Sequence, residues 1–179
     1  MSASPALYPA SRLATPHRSV HSAWIPVLLS LVFVRFTSTS FMGGGHTQVW
    51  LQDVWRVVLG SWHWDLTGPV NEIGRKVGHF LGYGTIGLIF RNAWHTSIRA
   101  GIMRIGESLA TIQGMVSVSA LSVLATFIVA SLDELHQRYV PGRVSSFHDV
   151  MVDTAGAIFL NAVFLTVRAA RRRNALKAR

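Results

Sequence analysis

Apolar residues crowd into four runs, and most of the ionisable residues fall between them. The first run is "AWIPVLLSLVFVRFTSTSFM" (23–42), interrupted by Arg35. The second, "VGHFLGYGTIGLIF" (77–90), is short and reaches spanning length if Lys76 and Arg91 snorkel toward the two surfaces. "MVSVSALSVLATFIVASL" (115–132) carries no charge, and "VMVDTAGAIFLNAVFLTV" (150–167) carries Asp153 and Asn161. A transmembrane helix needs about 20 mostly apolar residues, so the pattern predicts four spans, near 23–42, 73–92, 115–133 and 149–168. The first run has no clear Ala-x-Ala cleavage site, and it is read as a span and not a cleaved leader.

Between the first two runs, Trp50, Val54, Val57 and Val58 recur at helical spacing while Gln52, Asp53 and Arg56 lie elsewhere. This predicts an amphipathic helix lying in the membrane interface, with Trp62 and Trp64 near headgroup level. The expected fold is therefore all-α: a polytopic membrane protein, a bundle of four transmembrane helices with one interfacial helix between spans one and two. Residues 1–22 are expected to form a disordered tail, 23–167 one membrane domain, and 168–179 a basic tail.

Charge sets an expected orientation. Of seventeen Lys and Arg residues, eleven fall on the side shared by both termini, five on the other, and Arg35 lies within a run. The positive-inside rule then puts both termini in the cytoplasm of a cell whose cytoplasmic membrane the chain crosses repeatedly. The basic pI near 11.4 is explained by this distribution, and no nucleic-acid motif accompanies it. There are no cysteines, which excludes disulfides, thiolate catalysis and cysteine-zinc sites.

Alternating spans force three polar clusters to one side. At about 100° per residue, Glu72, Lys76, His79 and Tyr83 share an arc of about 60° at the start of span two. Asp133 and Gln137 are i, i+4 at the end of span three, and Asp149, Asp153 and Gly156 form a stripe at the start of span four. Between these last two lies "SLDELHQRYVPGRVSSFHDV" (131–150), where Pro141 and Gly142 turn the chain and Ser145 or Ser146 caps the next helix. Ionisable groups at membrane depth are costly and mark a pocket, a pathway or a staple between helices. The reading adopted is an outward-facing polar pocket, in which Lys76 pairs with Asp133 or Glu134 and Arg143 folds back over the acids. Gly78 and Gly82, with Ala155, Gly156 and Ala157, are the expected close-packing positions.

The segments "RKVGHFLGYGTIG" and "SLDELHQRYVPGRVSSFHDVMVDTAGA" resemble the VanZ-like family of small bacterial membrane proteins. That family's pattern is Lys-x-x-His-x-x-x-Tyr, then Asp-Glu-x-x-Gln, Pro-Gly-Arg, and an Asp opening the last span. It stands here as Lys76, His79, Tyr83, Asp133, Glu134, Gln137, Arg143 and Asp149, between Asn71 and Leu160. Asp153 occupies a position where members usually carry Asn. The resemblance implies a membrane protein whose founding relative is associated with low-level teicoplanin resistance, and most relatives have no assigned role.

Three functions fit these residues. A non-catalytic envelope protein would bind a lipid headgroup, a cell-wall precursor or a glycopeptide. A membrane enzyme would act on a lipid-linked phosphate or glycan, with Lys76 and Arg143 holding phosphate and His79 as general acid or base beside Asp133. A coupled transporter would use the acid–His chain, although four spans without a repeat fit it poorly. The residues match no metal motif, so no metal or cofactor is expected. Membrane lipids are the expected partners, and the oligomeric state is left open.

Overall fold

A computed structural model describes residues 16–39, 44–60, 67–106, 108–141, 143 and 145–178. Among them five helices run in order: α1 (Pro16–Thr37), α2 (Gly44–Leu59), α3 (Thr67–Arg99), α4 (Ile112–Gln137) and α5 (Phe147–Lys177). Residues 16–22, expected in the tail, are the first turns of α1, and the basic residues from Arg168 to Lys177 continue α5 as helix. Trp62 and Trp64 lie outside the described residues.

Three of these helices are long and apolar enough to cross a membrane: α1 through Val20–Thr37, α4 and α5, with mean hydropathies of 1.5, 2.2 and 1.8. α3 is not among them. It is 33 residues long, but Glu72, Arg75, Lys76, Arg91 and Arg99 break its apolar stretch. Arg91 does not snorkel as expected; it is 7 % exposed and turned into the bundle. α2 packs beside α3, where the Gln48 amide and the Thr67 hydroxyl lie 2.9 Å apart. Its apolar residues Trp50, Val54, Val57 and Val58 are exposed.

The helix ends follow local chemistry. The α3 terminus is closed by Gly101 at φ 76°, with Ile102 N–H donating to Ser97 O at 3.1 Å and Gly101 N–H to Ile98 O at 3.0 Å. That pair of bonds needs the left-handed backbone which glycine adopts without a Cβ clash. Thr111 caps α4, its side chain accepting from Gly114 N–H, and Ser146 caps α5, accepting from His148 N–H. Each cap satisfies one of the donors that a first helical turn leaves free.

α3, α4 and α5 form the centre of the bundle, and α1 lies against α3 and α4. Trp24 Nε1 donates to Ser97 Oγ at 3.0 Å, which sets the start of α1 beside the end of α3. Val27, Val34, Tyr83, Ile86, Phe90 and Ala130 fill the core between them. In lipid, apolar surface gains little by leaving the tails, so helices associate through close packing and interhelical hydrogen bonds. Here the close approach is α3 on α5: a Cβ added at Gly156 would lie 1.9 Å from Phe80 O, and one at Gly84 2.9 Å from Gly156 O. Of the expected glycines, Gly156 makes this close approach, whereas a Cβ added at Gly78 or Gly82 would meet nothing within 4 Å. They sit on the opposite side of α3, where missing side chains open a groove instead.

Candidate functional site

The ends of α1 and α4 and the starts of α3 and α5 meet at one end of the bundle, and the carboxylates of Asp133, Glu134 and Asp153 are buried there. Asp133, on the last turns of α4, accepts from the Tyr83 hydroxyl and from Gln137 Nε2, each at 2.9 Å, and from Ser38 Oγ. Three donors on three helices saturate this group. Gln137 reaches it because i and i+4 share a face, as the sequence pattern required. Ser38, 2 % exposed, is a partner that sequence reasoning passed over. Its only signal was a hydroxyl at the boundary of an apolar run.

Asp153, on the second turn of α5, is 1 % exposed, and His79 Nδ1 lies 3.1 Å from its Oδ1. The His79 ring stacks nearly parallel on Tyr83, at 6.1 Å between centroids and 12° between planes. Tyr83 thus joins Asp133 and Asp153: it bonds one and braces the imidazole that meets the other. His79 Nε2 makes no hydrogen bond within the described residues. A neutral imidazole with Nδ1–H on a carboxylate keeps Nε2 as a free acceptor, the arrangement that orients histidines in proton transfer.

Two other residues of the motif serve helix ends. Glu134 Oε2 accepts from the backbone N–H of Ser146 at 2.8 Å, and so places a carboxylate at the start of α5. Its Oε1 is buried without a hydrogen-bond partner. Arg143 comes near enough to Asp133 and Glu134, as expected, for their charges to act on it, but within the described residues it hydrogen-bonds neither. Its Nη2 donates to Thr37 O and, at 3.3 Å, to Thr39 O, capping the C-terminus of α1, where carbonyls lack helical partners. Burial, and then the nearby Arg75 charge, lower the Arg143 pKa, yet a guanidinium stays charged at neutral pH. The Pro141 turn brings it there, with Arg143 N–H donating to Val140 O at 3.2 Å.

Lys76 also departs from expectation. It pairs with Glu72 one turn back on α3, at 2.7 Å, and both side chains are largely in the open. Asp133 takes its hydrogen bonds from Tyr83, Gln137 and Ser38, and Lys76 keeps its intrahelical neighbour. Asp149 is partly exposed at the rim, 3.8 Å from His148 Nδ1. Arg35, the charge that interrupts the first apolar run, donates to His136 Nε2. The expected pocket residues therefore gather at one end but divide into a core of His79, Tyr83, Asp133, Gln137 and Asp153, two helix caps, and an exposed rim of Lys76 and Asp149.

Beside this core runs a groove of about 750 Å³ between α1 and α3. Leu29, Phe33, Ile86 and Ile89 are among its apolar walls; Gly78 and Gly82 give it depth; His79 and Tyr83 stand at its polar end. No curated protein and no solved structure matches the chain. The VanZ/LLP1 family model matches residues 4–168, well beyond the motif-bearing segments, and with the polar motif assembled at one end of a helical membrane bundle the chain belongs to the VanZ/LLP1 family.

Proposed function

We propose that the protein binds a lipid of the cell envelope, its headgroup at the His79–Asp153 end of a four-span bundle and an acyl or prenyl chain in the α1–α3 groove. The observation that carries this reading is the groove itself, apolar along its length and ending on a polar pair with an unused imidazole nitrogen. In this reading α3 is the fourth span, shielded by α1, α4 and α5, and the polar end faces outward. The exposed Lys76 at the rim offers a point charge for a phosphate. A lipid-linked wall precursor has this chemistry, and its capture, or capture of a lipid-tailed glycopeptide such as teicoplanin, is how the protein would lower glycopeptide susceptibility.

The test uses purified protein in nanodiscs with a lipid bearing a photoreactive group in its tail. Cross-links should fall on residues 29–33 and 86–89, and Gly82→Leu, which fills the groove, should abolish them. Unchanged cross-linking in Gly82→Leu would remove the basis of the proposal.

One observation favours a second reading, a membrane enzyme. A buried carboxylate orienting a histidine that borders a lipid-sized groove suits general acid–base chemistry on a lipid-linked phosphate or glycan. Its base would be steered by Asp153, and not by Asp133 as the sequence suggested. Headgroup release from a lipid phosphate, lost in His79→Gln while tail cross-linking persists, would decide for it.

A further inference from the structure

The opposite end of the bundle holds a second cavity, of about 380 Å³, where α3 and α5 end and α4 begins. Arg91, Asn92, His95 and Arg168 supply its polar lining, over Leu88 and Phe164. An adjoining hollow of about 370 Å³ shares Arg168 and adds Arg171 and Arg172. Among the described residues no carboxylate pairs with any of these arginines.

Arg91 is what separates this cavity from an ordinary basic rim. Its guanidinium carbon lies 3.7 Å from the Phe164 ring centroid, and its Nε donates to Ser119 Oγ at 3.1 Å. With one face on an aromatic ring and Nε engaged, the side chain is held edge-on. Its two Nη groups make no hydrogen bond within the described residues. Arg168 stands close enough to act on it electrostatically. Burial, and then the charges of Arg91, Arg99 and Arg168, hold the nearby His95 below its ordinary pKa. A chain that only needed basic residues for orientation would leave all of them in water. Burying one beside an open cavity, with no carboxylate paired to it among the described residues, favours an anion there.

We propose that this cavity binds a phosphate ester, through the Nη edge of Arg91 and the charge of Arg168. Two sources share that chemistry: the headgroup of an anionic phospholipid in the adjoining leaflet, and a soluble phosphate ester. Fork-shaped guanidinium donors match phosphate oxygens in either case. The site is at the other end of the bundle from His79 and does not depend on the function proposed there.

The test is native mass spectrometry of the full chain in detergent, titrated with phosphatidylglycerol, phosphatidylcholine or glycerol 1-phosphate. Phosphatidylglycerol should bind in preference to phosphatidylcholine, and Arg168→Gln should weaken it about ten-fold, the loss of one charge-assisted contact. Arg56→Gln removes the same charge from α2, and binding should be unchanged. Arg91→Lys keeps the charge but loses the fork; with an unchanged melting temperature it should still bind weakly. Displacement by glycerol 1-phosphate at equal concentration would identify the soluble source, and its failure to compete the lipid. Equal binding of both lipids without glycerol 1-phosphate binding, or equal losses in Arg56→Gln and Arg168→Gln, would overturn the proposal.

Discussion

At the scale of single residues, the polar end is organised by which donors reach which carboxylate. Asp133 takes three hydrogen bonds from α1, α3 and its own helix, and acts as the junction of those elements. Tyr83→Phe removes one of the three and should lower stability by about 1 kcal/mol, read as a drop in melting temperature in detergent. It also keeps the ring that braces His79, so tail cross-linking in the groove should survive. Arg143→Lys is predicted to cost more than its retained charge suggests, because an ammonium is a point charge and cannot match the guanidinium's planar reach to the Thr37 and Thr39 carbonyls. Faster proteolysis near the end of α1 would report the loss of that cap. Unchanged cleavage would mean the cap contributes nothing.

At the scale of elements, the pairing of α3 with α5 decides the geometry of the rest. Backbone meets backbone at Gly156 and Phe80, so even one methyl group has nowhere to go. Gly156→Ala should push the helices apart and cost about 1–3 kcal/mol, with loss of the 3.1 Å His79–Asp153 contact that spans the same interface. Gly78→Ala is the matched comparison: its Cβ meets nothing within 4 Å, and it should leave stability unchanged or raise it slightly. Equal destabilisation by the two would show that helix propensity, and not close approach, governs this pair. The neighbouring α4–α5 interface carries Ser122 Oγ donating to Asn161 Oδ1 at 3.2 Å, a polar staple between those two helices.

At the scale of the whole molecule, the two ends differ in chemistry. Buried acids and a histidine occupy one, and arginines without a carboxylate partner among the described residues the other. The proposed four-span topology assigns the arginine end to the cytoplasm. A reporter active only outside the cytoplasm should give no signal when fused after Arg179, and a clear signal when inserted at Gly60. Signal at both positions would leave an even number of crossings between them, as a chain spanning only with α1, α4 and α5 would. The helix in doubt is α3, since α1, α4 and α5 are apolar enough to cross by themselves.

What the sequence determined by itself was the helical architecture and the gathering of the polar motif at one end. Apolar runs, caps and chain reversals are local signals, and alternation of helices then leaves the polar clusters only one place to meet. The partners within that place were decided by tertiary structure. Lys76 turned back to Glu72, Arg143 went to α1, Glu134 to the start of α5, and Asp153 took the histidine that sequence reasoning set beside Asp133. Each outcome depends on the rotation of a helix about its axis and on how closely two backbones approach. Those quantities are set by contacts such as Gly156 on Phe80, between residues far apart in the chain. Residue type shows that a charge must be satisfied; only the packed bundle selects the nearest group that can do so.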